Sequence, residues 1–432
     1  MNILVVGNGF DLAHGLLTRY SDFLDFITLY ITKYHDGWNR WGLVADNDSD
    51  DDKWEKRRWS FYHVVLENLK SNVSAQAKQL FEKYCDDFHA LLTNEKSLKN
   101  FQCNSFLRYC LHEYSYKKTL NGDFNWIDIE DEIQRFILAL EQEIKTLLDL
   151  NYMSVRILKH ICVQVRNCIN YKNVDAKIFY IPTISEALTY KNIPNEYLKQ
   201  AIFGQLFEEL EKFNTLLKLY LKTTMKTLDK RERPFLINSY ITNLSQGTRR
   251  GIKAEHVLSF NYTNTAEMYV PKENIRFING SLDSSRIILG IENPDLNQTN
   301  EFCKNNMHLF FKNTQRVLYD SSREYEKWVT VLKYAQNKEI SSGVDIHIIG
   351  HSLAISDKYI LVGLMLGANK VTIYYYNETE RQCKISNLYQ LLGDEIFSKH
   401  LGNPYARPYI LSKTRRENPR LFRRGMNRRH ML

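Results

Sequence analysis

Residues 2–11 read Asn2-Ile3-Leu4-Val5-Val6-Gly7-Asn8-Gly9-Phe10-Asp11, and the fold class turns on this stretch. Four unbroken aliphatics, Ile3 to Val6, suit a strand buried on both faces, as at the centre of a parallel sheet; a half-exposed strand alternates apolar with polar residues. The run ends in a Gly-Asn-Gly turn, and a helical pattern follows from about Tyr20 through Phe23, Leu24, Phe26, Ile27 and Tyr30. Strand, glycine-rich turn and helix open a nucleotide-binding α/β fold. Glycines let a backbone approach a pyrophosphate without Cβ atoms, and the next helix offers free N–H groups at its N-terminus. The strict Gly-x-Gly-x-x-Gly spacing is not met, because Leu12 stands in the third place and the next glycine is Gly15. A tight strand–helix turn without a ligand therefore accounts for these residues equally well.

Outward from this unit the pattern changes. An acidic loop, Asp46 to Asp52, breaks the first helical stretch. Asp46, Asp48 and Asp50 have the opening spacing of a calcium loop, but Asp51 stands where that loop needs Gly and Arg57 where it needs Glu, so no metal site is expected. From about 55 to 235 the apolar period is helical. Ile202, Phe203, Leu206, Leu210, Phe213, Leu217, Tyr220 and Leu221 recur every three or four positions, and Ile133 to Leu148 behaves alike. Strand-like runs return after 250 at Val257–Phe260, Ile275–Ile278, Ile287–Leu289, Ile346–Ile349 and Val371–Tyr376. The fold expected is thus α/β, a Rossmann-type parallel sheet with a large all-α insertion after its first β-α unit. That unit spans 1–35, the helical insertion 36–250, the remainder of the core 251–412, and a basic tail 413–432.

Composition bounds the function. The 432 residues, 44% hydrophobic with 27 Tyr and 22 Phe, suffice for a large core and a second domain. Seven cysteines without a Cys-x-x-Cys pair suit reduced, buried thiols. The absence of a signal-peptide pattern and of any apolar run of about 18 residues points to the cytoplasm and to no membrane. The net charge of +8 belongs almost wholly to the tail, where Lys413, Arg415, Arg416, Arg420, Arg423, Arg424, Arg428 and Arg429 face a single Glu417. A solvated or partner-docked tail is the ordinary meaning of such a block. Nucleic acid is a partner that it admits without favouring.

Ile3 to Leu24 closely resembles the opening of the phage abortive-infection AbiH family, with its Gly-Asn-Gly-Phe-Asp turn (Gly7 to Asp11), Gly15 and Thr18-Arg19-Tyr20. Three further segments resemble family motifs: Asn125-Trp126-Ile127-Asp128-Ile129-Glu130, Leu258-Ser259-Phe260-Asn261-Tyr262-Thr263, and Ile349-Gly350-His351-Ser352-Leu353 with Asp357 beyond. The resemblance implies a defence role in which activation harms the infected cell and limits phage spread. A more distant resemblance, to the sirtuins, implies chemistry. Gly7 to Tyr20 is similar to the sirtuin glycine turn, Asn261 falls on its Asn, Asn279-Gly280-Ser281 on its catalytic His-Gly, and Gly350 to Leu353 on the element bordering the adenosine. Sirtuin-like domains of bacterial defence systems commonly destroy NAD, which implies cleavage of the nicotinamide–ribose bond.

The resemblance makes Asn261, Asn279, His351 and Asp11 the catalytic candidates. It makes Gly7, Asn8, Gly9, Phe10, Asp11, Gly15, Gly350 and Ser352 the residues expected to hold NAD or a related adenine dinucleotide. Asn279 departs from the His expected there, and an amide takes no proton near neutral pH; a general base is worth ~10²–10⁴ in rate. Asp11 as a helix N-cap, His351 as a structural hydrogen-bonder and an exposed His14 are the bland alternatives. Asp128 and Glu130 stand at a helix start, where carboxylates favour the dipole in any case. An NAD-cleaving effector, a non-catalytic sensor of NAD or ADP-ribose, and a nucleic-acid-acting protein are the three readings. A phage-encoded trigger and further copies of the same chain are the other partners expected.

Overall fold

The computed structural model describes residues 1–34, 64–99, 101–121, 128–149, 162–163, 179–180, 195–228, 254–291, 306–321, 328, 343–398 and 409–413. The acidic loop from Asp46 to Asp52 and the tail beyond 413 lie outside them. No helix among the described residues is long and apolar enough to cross a membrane.

Six strands form one sheet: β1 (Asn2–Val6), β2 (His256–Ser259), β3 (Ile275–Phe277), β4 (Asp345–Ile349), β5 (Lys370–Tyr375) and β6 (Tyr409–Lys413). Their order in space is β3-β2-β1-β4-β5-β6, and every neighbouring pair is parallel. This is the order of doubly wound dinucleotide-binding sheets, whose ligands sit outside the carboxyl ends of the strands where the order reverses. The expected parallel α/β fold is therefore observed.

The aliphatic run of β1 is central, as a strand apolar on both faces must be. Ile3, Leu4 and Val5 are fully buried, and β1 pairs Ile3 with both His256 and Ile346. Ile3 and Val5 face one side with Leu258, Ile346, Ile348, Val371 and Ile373. That side is covered by Ile360, Leu361, Leu364 and Met365, and by Leu388, Leu391 and Leu392. Leu4 and Val6 face the other side with Val257, Ile275, Ala266, Tyr269 and Phe10.

The helices among the described residues include α1 (Asn8–Ala13), α2 (Tyr20–Tyr34), α3 (Ala75–Asn94), α4 (Ser105–Asn121), α5 (Ile129–Asp149), α6 (Asn195–Met225), α7 (Lys312–Leu318), α8 (Lys358–Gly367) and α9 (Glu378–Phe397). The chain divides into two compact units. One comprises residues 1–16, 227–284 and 320–432 and carries the sheet; the other comprises 17–226 and 285–319. In the second unit the periodic apolar residues of α2 meet aromatic rings. Phe23 packs on Phe213 and Tyr220 at 5.5–5.7 Å, and Phe26 on Phe81 and Phe88 at 5.1–5.4 Å. Asp25 of α2 is buried beside these rings and is matched by a buried Lys118 of α4 at 2.8 Å and by the Ser74 N–H at 2.9 Å.

Three details differ from the sequence reading. Ile287-Ile288-Leu289 is buried but joins no strand, and nearby Ile291 makes an isolated parallel bridge to Phe311. Apolar residues can be buried by side-chain packing alone, without a ladder. Among the helices lies a short antiparallel pair, Cys162–Val163 with Phe179–Tyr180, where helix alone was expected. Lys413, counted with the basic tail, instead closes β6 and pairs with Tyr375.

Candidate functional site

The carboxyl ends of β1, β2, β3 and β4 bring Gly7, Asn261, Asn279 and Gly350-His351 to one edge of the sheet. Gly7 is the extended N-cap of α1, so Asn8, Gly9, Phe10 and Asp11 are the first helical turn rather than a loop ahead of it. A Cβ on Gly7 would stand 2.6 Å from the His351 Cα, and one on Gly9 2.8 Å from the Gly350 Cα. Gly350 itself has φ +68°, and its Cβ would lie 2.2 Å from the Phe10 nitrogen. The glycines are thus needed where two backbones touch. The Gly9 N–H donates to the Gly350 carbonyl at 2.8 Å, the Gly7 N–H to Ile349 at 3.2 Å, and the Phe10 N–H to Gly7 at 2.8 Å.

Gly15 lies at the other end of α1. With φ +76° it ends the helix in a Schellman arrangement, its N–H donating to Leu12 at 3.0 Å and that of Leu16 to Asp11 at 3.2 Å. His14 is not exposed on the first turn; it is the half-buried C-cap. Its Nδ1–H donates to the Phe10 carbonyl at 2.7 Å, which leaves Nε2 to accept from the Tyr269 hydroxyl at 2.8 Å. Burial lowers its pKa and keeps it neutral. Asn8 is half-buried, Phe10 is buried against His14 and Tyr269, and Ser352 is exposed, its carbonyl accepting from the Asn387 amide at 2.8 Å.

Asp11 does not act as a cap. Its Oδ2 accepts from the Thr263 hydroxyl at 2.6 Å, and Thr263 in turn accepts from Thr265 at 3.1 Å. Oδ1 is buried and has no hydrogen-bond partner. Burial pushes the carboxyl from 3.8 up to about 6, although Thr263, Thr265 and Asn261 favour the charged form. Asn261, directly beyond β2, donates from Nδ2 to the Gly7 carbonyl at 3.0 Å and so ties the ends of β1 and β2 together. Asn279, beyond β3, donates to the Phe260 carbonyl at 3.3 Å. All three side chains are 6% exposed or less.

His351 has a structural environment. Nδ1 accepts the N–H of Leu353 at 2.9 Å, and Leu353 is a non-glycine residue at φ +63°. Nε2 points to Asp357 at 3.5 Å, and the ring stands edge-on to Phe260 at 4.4 Å. The buried Lys384 of α9 donates to the His351 carbonyl at 2.7 Å and pairs with Glu380 at 3.1 Å. Burial lowers the Lys384 pKa.

In the other unit Asp128 caps α5, accepting from the Glu130 and Asp131 N–H groups at 3.0 and 3.3 Å, and Glu130 pairs with a buried Lys312 at 2.7 Å. Both therefore have local structural partners. Thr265, Tyr269 and Lys384 escaped the sequence reading. Thr265 stands two residues past the Phe-Asn-Tyr-Thr stretch, the one signal that pointed toward it.

A comparison with curated proteins and one with solved structures each return no match. The model of one family, described as bacteriophage abortive infection AbiH, matches residues 3–376. That span runs from β1 to the end of β5 and takes in Asp11, His14, Asn261, Thr263, Asn279 and His351. The chain belongs to the AbiH family of bacteriophage abortive infection proteins.

Proposed function

We propose that this phage-defence protein binds NAD or a related adenine dinucleotide at the carboxyl edge of β1, β2 and β4 and hydrolyses its nicotinamide–ribose bond, in the manner of a sirtuin-like core. The observation that carries the reading is the convergence of Asp11, Asn261 and Asn279 on the edge of a parallel sheet of order β3-β2-β1-β4-β5-β6. Ligands of such sheets bind at this edge. The reaction suits polar neighbours that stabilise positive charge on a ribose ring, because nicotinamide leaves with the bonding pair and an oxocarbenium-like sugar remains. A buried carboxylate and an amide in a dry site act more strongly on that charge than they would in water.

The sensor reading, binding without cleavage, has its own support. The N–H groups of Gly9 and Phe10, which a pyrophosphate would use, already donate to Gly350 and Gly7. Incubating the purified protein with NAD and following nicotinamide release separates the two. Hydrolysis predicts release that Asn261→Ala abolishes. The sensor predicts calorimetric binding of ADP-ribose with no release. Neither binding nor release, with Gly9→Val behaving like the unaltered protein, refutes both.

A further inference from the structure

We propose that Asp11 is the base of this reaction, taking the proton of the water that attacks the anomeric carbon of the nicotinamide riboside. The inference rests on the hydrolytic reading above and deepens it. Its motive is an asymmetry in one carboxyl group. Oδ2 is fixed by Thr263 at 2.6 Å, with Thr265 behind it at 3.1 Å, while Oδ1 is equally buried and accepts nothing. A buried acceptor without a donor carries a desolvation cost, and an O–H donor arriving with a ligand relieves that cost here.

The other candidate bases are engaged. His14 spends both ring nitrogens on Phe10 and Tyr269. His351 accepts the Leu353 N–H on Nδ1 and turns Nε2 to Asp357. Asn279 carries an amide that takes no proton. Of Asp11, His14 and His351, Asp11 alone keeps an unengaged acceptor. The step balances with water as co-reactant. The bond from C1′ to the pyridinium nitrogen breaks, and its electron pair turns the leaving group into neutral nicotinamide. The water oxygen gives a pair to C1′, and a water proton passes to Oδ1 before release to solvent, leaving ADP-ribose.

Burial lifts the carboxyl to about 6, so it is mostly ionised at pH 7.5 and still basic enough to accept. The groups that act on it are Thr263, Thr265 and Asn261, and no charged group contributes to the shift. The titratable groups on the described segments around it are His14 on α1, Tyr262, Glu267 and Tyr269 beyond β2, and His351 with Asp357 beyond β4, and none of them contributes to the shift.

The test is nicotinamide release by the full chain between pH 5 and 9. The unaltered protein should lose kcat below about pH 6. Asp11→Asn should lower kcat by ~10²–10⁴ and abolish that acid limb. Azide, which attacks without giving up a proton, should restore nicotinamide release to Asp11→Asn; a merely structural role predicts no such rescue. Thr263→Val removes a donor that favours the charged form and should move the acid limb to higher pH. It decides the matter if Asp11→Asn fails to fold, and an unmoved limb then overturns the proposal. An Asp11→Asn protein that keeps full activity and its acid limb overturns the base while NAD hydrolysis stands. An unaltered protein that releases no nicotinamide overturns both.

Discussion

Replacing Asp11 by Asn removes a charge from the interior without removing the oxygen to which Thr263 donates. The carboxyl is 1% exposed and lifted from 3.8 to about 6. An acid whose pKa is raised by folding holds its proton more tightly in the folded state than in the unfolded chain. Its contribution to stability is therefore fully present below about pH 3.8 and is lost as pH rises through about 6. At about 1.4 kcal/mol per pH unit, a displacement of roughly two units amounts to about 3 kcal/mol given up by pH 8. Asp11→Asn does not ionise and escapes that loss. The difference in stability between the two proteins should thus be flat below about pH 4 and grow in favour of Asp11→Asn by about 3 kcal/mol toward pH 8. For a unit of this size that is a shift of roughly 6–12 °C in melting temperature. Asp22, which burial also pushes up to about 6, is common to both proteins and cancels. Parallel melting profiles of the two proteins at pH 4, 6 and 8 read the effect. Melting points that differ by the same amount at every pH would refute the argument, because the charge would then not be what burial opposes. A variant more stable than the unaltered protein and slower in any NAD hydrolysis would be the signature of a site that gives up stability for function.

Three further outcomes follow from the packing. Gly350→Ala should destabilise by more than about 3 kcal/mol or prevent folding, since its Cβ would lie 2.2 Å from the Phe10 nitrogen at φ +68°; Gly15→Ala, with nothing within 4 Å, should cost only the ~1–2 kcal/mol of a left-handed residue. Equal losses in thermal melts would contradict this. Lys118→Met leaves Asp25 charged and buried and should cost ~3–5 kcal/mol, most of it recovered in urea unfolding by adding Asp25→Asn. His351→Ala should cost ~1–3 kcal/mol because the Leu353 N–H loses its acceptor, whereas His351→Asn should retain part of that bond; a loss of catalysis without any loss of stability would instead give His351 a chemical role.

What the sequence disclosed and what it hid divide along physical lines. The centre of the sheet was legible, because Ile3 to Val6 are apolar in succession and only a strand covered on both faces uses all four. The helices α2, α5 and α6 were legible from their periods, since each buries a recurring stripe. The glycine turn misled in its detail. Gly7, Gly9 and Gly350 are required by one another, across more than three hundred residues of chain, and a local motif cannot separate contact with a ligand from contact with a distant loop. Ile287 to Leu289 misled for a related reason: burial is written in side chains, while pairing depends on a neighbour that the local sequence does not name. The surroundings of Asp11 lay hidden because its partners, Thr263 and Thr265, arrive from beyond β2.

The place of β1 in the chain has a consequence for synthesis. Its two neighbours in the sheet begin at His256 and Asp345, so this aliphatic segment waits for partners that the ribosome makes much later. At about 5–20 residues per second, roughly 340 residues of elongation take on the order of 20–70 s, and throughout that interval a strand built for the interior has no interior. Gly7 and Asp11 likewise precede Asn261 and Gly350 by hundreds of residues, so an interrupted translation product carries the glycine turn without the residues that complete the edge.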